Sequence, residues 1–177
     1  MQTANKLPLQ FDAIIDAPFG AVGIFALNEQ ASIEQVSIEL LTEDFLTKSQ
    51  APKPAENKTV QKIANQIEAY FGDAKHEFNL TIAQHGTPFQ QRVWQAISAI
   101  PRGQVLTYCQ LAAQIGSGPR AVANACGANS LPLIVPCHRV VEQNGIGGFM
   151  QGNPDGLKVK RWLLKHEGLE FDKGKHF

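Results

Sequence analysis

The segment Pro136-Cys137-His138-Arg139-Val140 sets a thiol, an imidazole and a guanidinium side by side at the end of the apolar run Leu131-Pro132-Leu133-Ile134-Val135. A cysteine is a strong nucleophile only as its thiolate, and neighbouring cationic or basic groups lower a thiol pKa from about 8.5 toward neutrality. His138 and Arg139 are neighbours of both kinds, so Cys137 is expected to be a reactive thiol rather than an inert core residue. Cys109 and Cys126 have no such neighbours and are expected to be core or semi-exposed helix residues.

Three cysteines, with no Cys-x-x-Cys or other metal-ligand spacing, argue against a disulfide framework and against a zinc site. A reducing, cytoplasmic setting is expected, with no metal and no cofactor. The segment Met1 to Lys6 lacks a basic stretch leading into an apolar one, and no apolar run approaches the ~18 residues of a membrane span, so no membrane association is expected. With 177 residues and 44% hydrophobic content the chain can bury a core. Its net charge of zero conceals an asymmetry: residues 1–86 carry 6 Lys+Arg against 11 Asp+Glu, and residues 87–177 carry 10 against 5. Scattered solvated charge accounts for such a split; the sharper reading is a basic C-terminal half that faces an anion such as nucleic acid.

The elements that must position Cys137 follow from periodicity. In the first half, Phe11 to Asp16 is extended, Pro18-Phe19-Gly20 is a turn, and Ala21 to Leu27 is a second apolar run ended by Asn28-Glu29. Val36, Ile38 and Leu40 alternate with Ser37 and Glu39, as in a half-buried strand. Together these predict a small antiparallel sheet. A loop over 49–57 leads to a helix with Val60, Ile63, Ala64, Ile67, Tyr70 and Phe71 on one face, stopped at Gly72. Phe78, Leu80 and Ile82 predict one more strand.

The second half reads as helical. Thr87 and Pro88 open a helix whose buried stripe is Phe89, Val93, Trp94 and Ile97, broken at Pro101-Arg102-Gly103. A short helix near 108–115, a tight Gly116-Ser117-Gly118-Pro119 turn and a helix near 120–128 give a helix-turn-helix outline. A last helix is predicted over 154–166, capped by Asn153, with Leu157, Trp162, Leu163 and Leu164 inward. The helix after the tight turn is dominated by Ala121, Ala123, Ala125, Gly127 and Ala128, with Arg120 at its start. Small side chains let a backbone approach a partner closely while Arg120 enters a groove or base stack; an Ala-rich helix packed on its neighbour has the same composition.

Pro136 to Val140, with Asn129 eight positions before the cysteine and Arg120-Ala121-Val122 seventeen before it, resembles the active-site half of the O6-alkylguanine-DNA alkyltransferases. The resemblance extends over Gly86-Thr87-Pro88-Phe89-Gln90-Gln91-Arg92-Val93-Trp94, Tyr108-Cys109-Gln110-Leu111-Ala112 and Lys160 to Gly168. Over the first 80 residues only the sheet-plus-helix outline agrees. The resemblance implies an α/β, or α+β, fold in two domains. Residues 1–85 would be a ribonuclease-H-like sheet-plus-helix unit, and 86–177 a mostly helical, winged-helix-like unit with the helix-turn-helix and the active site.

The implied activity is direct DNA repair, in which an alkyl group moves irreversibly from O6-alkylguanine to Cys137, with O4-alkylthymine as a second candidate substrate. A thiolate is the ordinary side chain suited to attack an sp³ carbon, and the thioether product leaves nothing to hydrolyse, so each molecule reacts once. By resemblance His138 relays the Cys137 proton through a water, and Glu167 orients His138. The base must be flipped out of the duplex. Arg120, with Ala121 beside it, would fill the vacated space, while Tyr108 presses on the target phosphate and hydrogen-bonds the departing guanine. Asn129 would act as hinge between recognition helix and active-site segment. The Cys137 and Val140 carbonyls would accept from the guanine amino group, the Gln151 N–H would donate to its oxygen, and Lys160 would stabilise charge on the leaving base. Arg139 reads as a structural ion-pair partner. The implied partner is double-stranded DNA containing O6-alkylguanine, bound by a monomer with no obligate protein partner.

Three departures stand out. The turn between Tyr108 and Arg120 is two residues short, Met150 takes the place of a pocket tyrosine, and Asn153-Pro154-Asp155 adds about three residues before the last helix. A flexible, polarisable Met changes pocket size and alkyl preference. The alternatives are a non-enzymatic alkyltransferase-like damage-binding protein, against which Cys137 itself argues, a cysteine hydrolase, which needs direct thiol–imidazole contact and an oxyanion hole, and a helix-turn-helix regulator, for which no dimerisation element is evident.

Overall fold

The computed structural model describes residues 10–26, 36–43, 52–80 and 84–171. Strands β1 (Ala13–Ala17), β2 (Gly20–Ala26) and β3 (Val36–Thr42) form an antiparallel sheet in that order, with Ile15 opposite Val22 and Val22 opposite Leu40. The β1–β2 connection needs Gly20: its φ is +141°, and a Cβ there would run into the Leu41 carbonyl. Alternation decides the faces. Ala13, Ile15, Val22, Ile24, Ile38 and Leu40 join the main core, while Phe11, Ile14, Ala21 and Leu41 form a small cluster of their own.

Helix α1 (Lys58–Gly72) lays Val60, Ile63, Ile67 and Tyr70 into the main core. Asn57 caps it, accepting from the Thr59 and Val60 amides at 2.8 and 3.3 Å. Gly72 is its last residue and the chain turns extended at Asp73. The strand expected over 78–82 is not formed at Phe78 or Leu80, which pack partly buried on the core with no ladder partner among the described residues; Ile82, like Leu27 and Asn28-Glu29, lies outside the described residues. The aromatic Phe78 finds its burial against the Tyr70 ring, centroids 5.5 Å apart, instead of in a sheet.

Helix α2 (Pro88–Ser98) opens as expected with Thr87 as its cap and Pro88 in its first turn, and Gln90 completes a capping box with Thr87. Strand β4 (Leu106–Thr107) runs parallel to β5 (Val140–Val141). Thr107 caps α3 (Tyr108–Ile115), Gly116 closes it in the left-handed region at φ +67°, and α4 (Pro119–Gly127) follows, completing the helix-turn-helix. The Trp94 indole donates to the Ala125 carbonyl at 2.8 Å, locking α2 to α4. The last helix, α5 (Gly156–His166), begins two residues later than Pro154. The expected cap, Asn153, spends its side chain on the Asp155 amide at 3.0 Å, closing a turn ahead of the helix. Gly156, Val159, Lys160, Leu163 and Leu164 are its buried residues, whereas Leu157 and Trp162 are only half-buried. The architecture is therefore mixed α/β with small sheets, and one hydrophobic cluster runs from the sheet through to α5. Among the described residues, no helix is long and apolar enough to cross a membrane.

Candidate functional site

Cys137, His138 and Arg139 form one turn of 3₁₀-helix immediately before β5, closed by the Val140 amide donating to the Cys137 carbonyl. The residues 131–135, an apolar run in the sequence, turn rather than extend, with Leu133 left-handed at φ +75°. Asn129 holds that turn at both ends. Its Nδ2 donates to the Val135 carbonyl at 2.9 Å, and its Oδ1 accepts from the Leu131 amide at 3.0 Å and from Gln84 at 2.6 Å. The same side chain reaches the Cys137 thiol.

The short turn separates its three side chains sharply. Cys137 faces a cavity of about 900 Å³ lined also by Tyr108, Cys126, Asn129, Met150 and Gln151. His138 and Arg139 point away, to Glu167 just after α5. His138 Nε2 lies 2.9 Å from Glu167 Oε1; Arg139 grips both carboxylate oxygens, Nη2 to Oε1 at 2.8 Å and Nε to Oε2 at 2.9 Å, and donates Nη1 to the Ile100 carbonyl. His138 is 1% exposed and Glu167 2%. Hydrogen bonds from His138 and Arg139 hold the Glu167 carboxyl well below the usual range even though burial pushes it upward. An ionised carboxylate only accepts, so Nε2 carries the histidine proton. Nδ1 is then the basic nitrogen, and it is buried without a partner among the described residues. Burial, aided by the charges of Arg139 and Lys160, lowers the His138 pKa against the pull of Glu167, which keeps the ring neutral.

This arrangement corrects the expectation that His138 and Arg139 depress the Cys137 pKa. Arg139 is committed to Glu167, and burial raises the thiol; what opposes burial is the Asn129 side chain, the Lys160 charge and the backbone N–H groups of Cys137 and His138, not the imidazole or the guanidinium. Lys160 is fully buried on α5, donating to the Val140 carbonyl at 2.7 Å and the Gly148 carbonyl at 3.0 Å with the Phe149 ring 5.8 Å away. Burial lowers its pKa to about 8.

Tyr108, the first residue of α3, is carried to the cavity by the β4–β5 pairing, and burial raises its pKa, so it remains a phenol. Cys126 lines the same cavity half-buried, its thiol pushed by burial up to about 12, and Cys109 is exposed at the rim. Arg120 is exposed at the start of α4, with Ala121 half-buried beside it and Ala123, Gly127 and Ala128 exposed along one side. Gln151 lies on the far wall, where Met150, Gln151 and Gly152 are all left-handed at φ +51°, +53° and +81°. Its side chain bridges to the Gly127 carbonyl at 3.1 Å.

Reading the sequence missed Tyr70, assigned only to the buried stripe of α1. Its hydroxyl donates to Glu167 Oε1 at 2.9 Å across 97 residues. The one available signal was chemical: a tyrosine on an apolar stripe needs a partner for its hydroxyl. Among the described residues, no three His, Cys, Asp or Glu side chains are placed to hold a metal.

Fold and site together define a helix-turn-helix protein with the Cys137 thiol in a cavity behind the second helix, on a turn backed by a histidine–carboxylate pair. Residues 88–169 match the model of the 6-O-methylguanine DNA methyltransferase DNA-binding domain. The chain is 37% identical over 161 residues to the methylated-DNA--protein-cysteine methyltransferase of Methanosarcina barkeri, covering 87% of this chain and 94% of that one. It is 47% identical over 109 residues to the corresponding Salmonella typhimurium protein, spanning 62% of that relative's length. Among solved structures, the O6-methylguanine methyltransferase of Mycobacterium tuberculosis superposes with a TM-score of 0.67 at 32% identity, covering 87% of this chain and 90% of that one. The M. tuberculosis OGT in complex with DNA gives 0.67 at 31% identity, over 88% and 91%. The chain belongs to the methylated-DNA–protein-cysteine methyltransferase family.

Proposed function

We propose that this protein repairs DNA by moving the alkyl group of O6-alkylguanine irreversibly onto Cys137. The observation that carries the reading is the arrangement around one turn: a thiol facing a cavity, and behind it a neutral histidine whose proton is fixed on Nε2 by Glu167 while Nδ1 is left basic. A water between Nδ1 and the thiol takes the proton toward His138. The C–S bond forms as the O6–C bond breaks, and its electron pair stays on guanine. The phenol of Tyr108 donates to the departing base, and the Lys160 ammonium offsets the charge that develops in the cavity. The Val140 carbonyl, with two acceptor positions and one taken by Lys160, retains one for the guanine amino group.

The exposed small face of α4 suits close approach to duplex DNA, with Arg120 entering the space left by the flipped nucleotide and Ala121 beside it. Asn129 is the hinge, and the Gln151 amide donates to the guanine oxygen. Residues 1–85, a ribonuclease-H-like unit, and 86–177, a winged-helix-like unit, are the two domains, acting as a monomer in the cytoplasm. The presence of Cys137 in the cavity favours transfer over lesion binding alone. Intact-mass analysis after incubation with duplex DNA containing one O6-methylguanine tests this. One methyl on Cys137, saturating at one per molecule and lost in Cys137→Ala, is the expected result; unchanged mass with retained lesion binding identifies a damage-binding protein instead.

A further inference from the structure

Glu167 Oε1 is shared by three donors: His138 Nε2 at 2.9 Å, Arg139 Nη2 at 2.8 Å and the Tyr70 hydroxyl at 2.9 Å. Two of these come from the turn that carries Cys137. The third comes from α1, 97 residues before Glu167, and is itself 2% exposed. Its position is fixed by an aromatic clasp between α1 and α5. His166 Nε2 meets the Tyr70 carbonyl at 2.7 Å, its ring lies edge-on to Tyr70 at 5.1 Å, and Trp162 stacks on His166 at 4.7 Å. Phe71 and Phe19 then pack edge-on against Trp162 at 5.8 and 5.7 Å. Arg139 alone already holds both carboxylate oxygens, so orientation of Glu167 does not require the phenol. What the phenol changes is how much negative charge Oε1 presents to the His138 N–H.

We propose that Tyr70 is a positioning residue of the Cys137 site: by donating to the oxygen that receives His138, it restrains the basicity that Glu167 confers on the imidazole, and so sets the pH at which Cys137 becomes nucleophilic. This rests on the reading of Cys137 as the alkyl acceptor with His138 as its proton acceptor. It also gives the first half of the chain a part in the chemistry. The other charged or titratable groups facing the cluster are Arg139 on the same turn, Lys160 and His166 from α5, and Tyr108, Cys126 and Glu142 around the cavity. All of them are unchanged when only the Tyr70 hydroxyl is removed. Without it, Oε1 has two donors instead of three, pulls harder on the Nε2 proton and makes Nδ1 more basic, which favours the thiolate–imidazolium pair.

The test uses the full chain with Tyr70→Phe, which keeps the ring and its packing. The rate at which iodoacetamide labels Cys137, read by peptide mass from pH 5 to 10, reports the thiolate directly. The expected result is a midpoint displaced to lower pH, with labelling at pH 6.5 about three- to tenfold faster, which corresponds to about half to one pH unit. A fluorinated tyrosine placed at residue 70, a stronger donor of nearly the same shape, moves the midpoint the opposite way. It also decides the matter independently of whether Tyr70→Phe folds. A midpoint that coincides with wild type, or rises in Tyr70→Phe, overturns the proposal, since a purely structural role lowers the melting temperature without moving the titration. Methyl transfer from O6-methylguanine duplex on the same samples tests the repair reading separately: a wild type that is labelled by iodoacetamide but takes no methyl overturns that reading, while the Tyr70 comparison still stands on the labelling.

Discussion

Replacing Glu167 with Gln changes one oxygen to an amide nitrogen and removes one charge at a site that accepts four hydrogen bonds from three residues. An amide has one acceptor oxygen and two donor hydrogens, so at least one of Arg139 and His138 meets a donor instead of an acceptor. The Arg139 side chain, 14% exposed, is then left as an unpaired, largely buried cation. Breaking such a pair from one side costs about 3–5 kcal/mol. For a chain of this size about 2–4 °C is lost per kcal/mol, so the melting temperature of Glu167→Gln falls by about 6–20 °C at pH 7. The carboxyl pKa is depressed in the folded state, so its stabilisation is complete above the unfolded value of about 4.3 and is lost as the pH falls below it. The gap between wild type and variant therefore stays constant from pH 6 to 8 and narrows below pH 4. Adding Arg139→Met removes the stranded cation and recovers part of the loss, giving a coupling energy of at least 2 kcal/mol by the order of magnitude above. Thermal and urea unfolding of the four proteins in this cycle measure it. A Glu167→Gln variant within 1 kcal/mol of wild type at pH 7, on the scale just given, refutes the view that this carboxylate neutralises Arg139 and fixes the His138 proton.

Lys160, with a folded pKa of about 8 against an unfolded value of about 10.4, binds fewer protons folded than unfolded between those limits, so its contribution to stability rises with pH across that window. Lys160→Met removes that rise, seen as a wild-type minus variant difference that grows from pH 8 to 10 in urea titrations, and it weakens methyl transfer by leaving the Val140 and Gly148 carbonyls without their donor. Thr87→Ala breaks the capping box of α2 and costs about 1 kcal/mol in unfolding experiments. Gly23→Ala places a Cβ against the Phe11 ring on the small-cluster face of the sheet and costs about 1–3 kcal/mol by the same measurement.

What the sequence made legible was set by local periodicity and local chemistry. The three strands, the helix cap at Thr87 and the helix-turn-helix each depend on neighbours within a few residues, and each lies where the local pattern placed it. The start of α5 did not, because Asn153 is as good a turn residue as a cap and nothing in the sequence separates the two uses. Phe78 and Leu80 alternate like a strand, but an alternating pair is satisfied equally by packing on the core, Phe78 against the Tyr70 ring. The electrostatics of Cys137 depart from the sequence expectation for the same reason. Adjacency in sequence put Arg139 beside the thiol, whereas the tight turn sends its guanidinium to a carboxylate 28 residues away. Tyr70 and Glu167 meet only through tertiary packing, which no spacing encodes.

That separation has a consequence for the order of assembly. Tyr70 and Glu167 stand 97 residues apart, with Cys137 between them. During synthesis at about 5–20 residues per second, Tyr70 leaves the ribosome about 5–20 s before its partner does. Cys137 precedes Glu167 by 30 residues, so for about the last 2–6 s of that interval it has emerged while His138 has no carboxylate to fix its proton and Arg139 has no counter-charge. The last helix therefore acts as a closing step in the assembly of the thiol's surroundings, and a nascent chain stopped short of Glu167 holds the nucleophile without the partners that set its chemistry.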